Sequence, residues 1–175
     1  MTVTTIEEAL DFVQDQGICT LFSSKDRKIT SLWEAVDLPE NDGRTKWGQR
    51  VEAIWAWKNE LPACYPDLVF YGKIRGGVAA LMSMDYLRET HYPTHHLPVD
   101  HCPPLARDVY EIVRLNPCET AELRCEAMES CHCSKSQFDT ALKKLQITLN
   151  IARTNEPDVE NDLWLPFLEL YPDFE

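Results

Sequence analysis

Apolar residues first recur at helical spacing at Ile6, Leu10 and Val13, where Thr5 and Glu8 also have the spacing of a capping box. With Gly17 as a stop, the pattern predicts a helix over residues 5–16. The run ICTLF, residues 18–22, reads as a short strand, followed by a polar loop. Ser31 and Glu34 repeat the capping-box spacing and open a short helix with Leu32, Trp33 and Val36 facing inward. From residue 45 to 61, Trp47, Val51, Ile54, Trp55 and Lys58 follow helical spacing, and Pro62 is expected to end the run. Two β-prone stretches, residues 68–74 and 78–82, meet at Arg75-Gly76-Gly77 and predict a hairpin.

Residues 91–104, HYPTHHLPVDHCPP, hold four prolines and are expected to interrupt helix and serve as a linker. Beyond them Leu105, Val109, Ile112 and Val113 form a helical stripe that ends near Asn116 and Pro117. A short helix over residues 120–128 would turn Leu123 and Met128 inward, with the turn at ESCHC. Ser134 and Gln137 then cap a third helix whose buried face is Phe138, Ala141, Leu142 and Leu145. Residues 147–152 alternate as a strand, residues 153–162 make a polar tip, and residues 163–170 return as a strand interrupted by Pro166.

Each half therefore has the order helix, short helix, longer helix, hairpin. The expected fold is α+β, mainly helical, with two tandem winged helix-turn-helix-like units. The expected organisation is an N-terminal domain over 1–92, a Pro/His-rich linker over 93–104 and a C-terminal domain over 105–175.

Composition bears on this picture at four points. With 175 residues, 44% of them hydrophobic, the chain can bury one ordinary core or two small ones. No apolar stretch is long enough to span a bilayer and the first residues lack the features of a secretion signal, so a cytoplasmic protein with no membrane partner is expected. Seven irregularly spaced cysteines do not describe a disulfide framework. The net charge of -12 disfavours strong nonspecific binding to nucleic acid, yet leaves room for a local basic patch, because screening limits the reach of distant carboxylates to about 8 Å.

Such a patch has two candidate locations. The face of the third C-terminal helix opposite its core stripe offers Lys135, Ser136, Asp139, Thr140, Lys143 and Lys144. The lysines can contact phosphates and the hydroxyls can bond phosphates or base edges, while a plain solvated face is the alternative. Between residues 155 and 175 the chain is acidic with no basic residue, which leaves Arg153 at the base of the wing as a backbone contact. In the N-terminal half, YGKIRGG sets Lys73 and Arg75 beside glycines. Trp55, Trp57 and Lys58 precede it, an interleaving that can stack bases and hold phosphates, although large aromatics more often build a core.

Cys131, His132, Cys133 and the linker residues His91, His95, His96, His101 and Cys102 are metal-ligand types, but C-x-C without a C-x-x-C knuckle is poor spacing, so no metal is expected and no other cofactor. Signatures of a nucleophile elbow, a phosphate-binding glycine loop and H-E-x-x-H do not occur. Gln14, Asp15 and Gln16 can orient a water, or simply end a helix at Gly17.

The stretches SLWEAV, WAWKNELP, FYGKIRGG and SKSQFDTALKKLQ resemble the AlkZ-related proteins, relatives of winged-helix DNA glycosylases, over nearly the whole chain. The resemblance implies a tandem winged-helix body. It also implies kinship with enzymes that remove alkylated or crosslinked bases, where a Gln-x-Gln or Gln-x-Asp motif positions the attacking water. Gln14 and Gln16 are the positions that match, around a polar Asp15 where that motif carries an apolar residue. The function expected is a DNA-interacting protein related to DNA glycosylases and acting in repair; the alternative is a non-catalytic winged-helix module that binds a protein partner.

Overall fold

A computed structural model of the chain describes residues 2–23, 28–40, 47–156 and 161–174. The fold is α+β and mainly helical, and among the described residues it holds two small three-stranded antiparallel sheets. The chain divides into two compact units, Met1–Thr90 and His91–Glu175, each with its own hydrophobic cluster.

The first unit opens with α1 (Ile6–Gln16), whose capping box pairs the Thr5 side chain with the Glu8 backbone and the Glu8 carboxylate with the Thr5 N–H. Gly17 ends it at φ 70°, donating its N–H to the Val13 carbonyl at 2.9 Å, in a backbone region where a side chain would be strained. Then follow β1 (Ile18–Thr20), α2 (Leu32–Ala35), α3 (Gln49–Cys64) and the hairpin β2 (Val69–Ile74) and β3 (Val78–Ser83). In the sheet β3 lies in the middle, between β1 and β2. The core gathers Phe12 and Val13 of α1, Leu32 of α2, Ile54, Trp57 and Leu61 of α3, and Val69 and Leu81 of the sheet.

Two expectations change here. Pro62 does not stop α3, which runs on to Cys64; Pro62 removes one backbone bond close to the end, and the burial of Leu61 and Pro62 holds the final turn in place. The buried face is Ile54, Trp57 and Leu61, whereas Trp55 is 50% and Trp47 63% exposed. Both stripes have helical spacing, so periodicity alone does not choose between them. The paired glycines do form the hairpin turn, at φ 85° and 79°, with the Gly77 N–H on the Ile74 carbonyl at 2.9 Å. After β3 come α4 (Met84–Tyr86) and a π-helical turn, Leu87–His91.

The proline-rich stretch is not irregular chain. It holds α5 (Tyr92–His95) and a 3-10 turn, Val99–His101, before α6 (Pro104–Leu115). Pro93 and Pro104 sit in the first turns of their helices, where a missing N–H costs nothing. A buried polar network ties the stretch to the end of α8 (Lys135–Ile147): Asn150 Nδ2 donates to the Leu97 carbonyl at 2.9 Å and to Thr148 Oγ1 at 2.7 Å.

The second unit continues with β4 (Cys118–Glu119), α7 (Thr120–Ser130), α8, β5 (Ile151–Arg153) and β6 (Leu163–Pro166), then α9 (Phe167–Leu170) and a final 3-10 turn, Pro172–Phe174. Again the last strand lies in the middle, giving the order β4-β6-β5. The expected strand over 147–152 starts only at Ile151, because α8 takes in Ile147 and Leu149 turns the chain at φ 56°. The expected strand over 163–170 stops at Pro166, after which Phe167–Leu170 is helical. Met128 is exposed and Ala127 occupies the buried position of α7 in its place. Part of the expected polar tip, residues 157–160, lies outside the described residues.

Candidate nucleic-acid interface

α8 is positioned by its N-terminal cap and by its buried face. Its N-terminus is fixed by the Ser134–Gln137 capping box, with Gln137 N–H on Ser134 Oγ at 3.2 Å and Ser134 N–H on Gln137 Oε1 at 2.8 Å. Phe138, Ala141, Leu142 and Leu145 are buried against α6 and α7. The turn before α8 is the Cys131-His132-Cys133 stretch, where His132 takes φ 52° and Cys133 Sγ donates to the Ala127 carbonyl at 3.5 Å.

Opposite the core face, Lys135, Ser136, Asp139, Thr140 and Lys143 are exposed and Lys144 is half-buried. Asp139 would repel phosphate, but Arg124 of α7 lies 3.7 Å from its carboxylate, so the pair is close to neutral and the lysines set the local charge. Thr140 donates its hydroxyl hydrogen to the Ser136 carbonyl at 2.9 Å, which leaves its oxygen as an acceptor. An open depression of about 250 Å³ borders this face, lined by Leu105, Ser136, Gln137, Thr140 and Ala141.

Arg153 stands apart from these residues. It is 7% exposed and its guanidinium lies 3.2 Å from Asp162, so its charge is directed within the sheet end of the unit. In the first unit Lys73 is half-buried on β2 and Arg75 is exposed in the glycine turn. Trp57 is a core residue, and Trp55 and Lys58 lie on the other side of α3.

Gln14 and Gln16 occupy the last turn of α1. Two residues apart on a helix, they project about 200° from one another, so the helix does not bring their amides together. Gln14 Nε2 donates to the Leu68 carbonyl at 2.9 Å, tying α1 to the start of β2, and Gln16 is exposed.

Three of the linker histidines make contacts within the second unit. His91 is buried and stacks on His95 at 4.3 Å, while His95 Nδ1 bonds the His91 carbonyl and His96 Nδ1 bonds the Thr148 carbonyl. Burial, with the neighbouring His95 as a smaller cause, pulls the His91 imidazole down to about 4. Among the described residues no group of three or more His, Cys, Asp or Glu is arranged to hold a metal ion.

A family model described as AlkZ related matches residues 3–161. The chain belongs to the AlkZ-related family. No curated protein and no solved structure matches it. The matched span of this AlkZ-related protein takes in α3, the first hairpin, the turn before α8 and α8 itself. Among the described residues no helix is long and apolar enough to cross a membrane.

Two features of the AlkZ-related chain escaped sequence reasoning. β4 is only two residues long, too short for any alternation to register. Arg124 meets Asp139 from a different helix, a pairing that no local spacing reports.

Proposed function

We propose that this protein is a DNA-interacting protein built from two winged helices, working in repair as a relative of the DNA glycosylases. The repeated order helix, strand, helix, helix, strand, strand, with the last strand central in each sheet, supports the winged-helix reading. Family membership and the resemblance to glycosylases support the link to repair.

The observation that carries the reading is the outward face of α8. Lys135 and Lys143 are exposed on a capped helix, Ser136 and Thr140 lie between them, and the one carboxylate on that face is answered by Arg124. A winged helix presents its third helix to the major groove, with lysines on phosphates and short polar side chains near base edges. The reading is one of binding. The divergence of Gln14 and Gln16 supports no shared water site, so base removal is left to a direct assay of abasic-site formation on N7-alkylated duplex.

Fluorescence anisotropy with a labelled duplex over a salt series tests the reading. Affinity is expected to fall steeply with salt, and Lys135→Ala with Lys143→Ala is expected to reduce the slope of log K against log salt by about 1.8. Absence of binding at low salt would overturn it and favour a protein-binding module. That second reading is supported by the net charge of -12 and by the Arg153–Asp162 pair.

A further inference from the structure

In the first unit, cations and aromatic rings are joined in one ribbon. The Arg50 guanidinium lies over Trp33 at 4.0 Å; Trp33 meets Phe22 at 5.9 Å between ring centroids; Phe22 meets Trp55 at 5.7 Å. Lys58 Nζ then lies 5.0 Å from the Trp55 ring and 5.2 Å from the Tyr71 ring. The ribbon crosses from α2 over α3 to β2. Lys73 follows Tyr71 by two residues, hence on the same face of the strand, and Arg75 is exposed at the glycine turn beyond it.

Most of these rings sit at the margin of the core. Phe22, Trp33 and Tyr71 are partly buried against it, and Trp55 is half exposed. Arg50 is anchored, its Nη1 on Glu40 at 2.9 Å and its Nη2 donating to the Trp33 carbonyl, which holds the Trp33 end of the ribbon in place.

We propose that this ribbon binds unpaired nucleotides of single-stranded DNA, with bases stacking on Trp55 and its neighbours and phosphates meeting Lys58, Lys73 and Arg75. A strand of nucleic acid offers both π faces and anionic charge, which complements rings separated by cations. A protein partner with an apolar surface would have to desolvate Lys58 and Arg75 without return. Gly76 and Gly77 carry no side chains that would keep a backbone away from Arg75. Glu52 and Glu60 are exposed on the same helix, so the affinity is set more by stacking than by net charge. The proposal goes beyond duplex contact by α8 and does not depend on it.

The test uses the full chain and a labelled thymidine oligonucleotide of about a dozen nucleotides, within the usual site sizes of such surfaces. Anisotropy should show saturable binding at low salt, with a salt slope of about -2 from three phosphate contacts on a single strand. Trp55→Ala should weaken binding roughly 5- to 150-fold, the loss of one stacked base, and Trp55→Phe should restore most of it. Lys73→Ala with Arg75→Ala should reduce the slope by about 1.4.

Unchanged thermal unfolding of Trp55→Ala separates loss of the site from loss of the fold. No binding at low salt, or equal binding by Trp55→Ala, overturns the proposal. Binding of polyglutamate that needs Trp55, with none of the oligonucleotide, assigns the ribbon to an acidic protein partner and also overturns it. Loss in the Trp55 variant is read on the oligonucleotide and loss in the Lys135 and Lys143 variant on the duplex, so either reading can fail alone.

Discussion

His91 is buried and faces a second imidazole across a stack of 4.3 Å, an arrangement that favours its neutral form. In the unfolded chain such a group titrates near 6.5, and in the fold at about 4. Between these values the unfolded state binds more protons, so stability rises with pH across that window. The contribution is fully present above about 6.5, is lost as the pH falls toward 4, and changes no further below that. Carboxylates add their own acid sensitivity, which calls for a comparison between variants. The melting temperature should drop less between neutral pH and about 4.5 in His91→Gln than in the natural protein. An equal drop in both would mean that His91 is solvated in the fold. The histidine pattern of residues 91–101 is visible in the sequence; the burial of His91 is not, because burial depends on what the rest of the fold packs around a residue.

At the scale of elements, α8 was the most legible part of the chain. Its cap and its four core residues all stand in one local stretch, and local capping geometry with one apolar stripe suffices to specify a helix and its inner face. Ser134→Ala removes the acceptor for the Gln137 N–H and is expected to cost about 1 kcal/mol in denaturant unfolding, while Ser134→Thr retains most of it. A Ser134→Ala protein as stable as the natural one would show that core packing alone sets where α8 begins. α3 was harder to read because it is apolar on two sides. Trp47, Val51 and Trp55 mimic the stripe that Ile54, Trp57 and Leu61 actually bury, and only contact with α1 and the sheet separates them. The end strands are shorter than their pattern predicts for a related reason. Alternation in 147–152 is also compatible with a helix that closes and then turns at Leu149.

At the scale of the whole molecule, the two units repeat one order of elements and one sheet order, each around a separate core. The cysteines report on these cores. Cys64 and Cys125 are exposed, Cys131 and Cys133 half-buried, and Cys19, Cys102 and Cys118 buried as free thiols. Burial pushes Cys19 up to about 12, and burial followed by Glu122 and Glu126 pushes Cys118 up to about 11, so neither supplies thiolate at neutral pH. A thiol reagent should label two cysteines quickly, two more slowly and the last three only on denaturation; fast labelling of Cys19 or Cys118 would mean that its core opens readily. The sequence by itself determined the capped helices, the glycine hairpin and the α+β class, since these follow from contacts within a few residues. Tertiary structure decided which face of α3 is buried, that Arg124 neutralises Asp139, that Arg153 turns to Asp162, and that Phe22, Trp33, Trp55 and Tyr71 form one ribbon with two cations. Apart from Lys58 over Trp55 within α3, these pairings join residues distant along the chain, and their energies depend on distances that only the folded chain brings within reach.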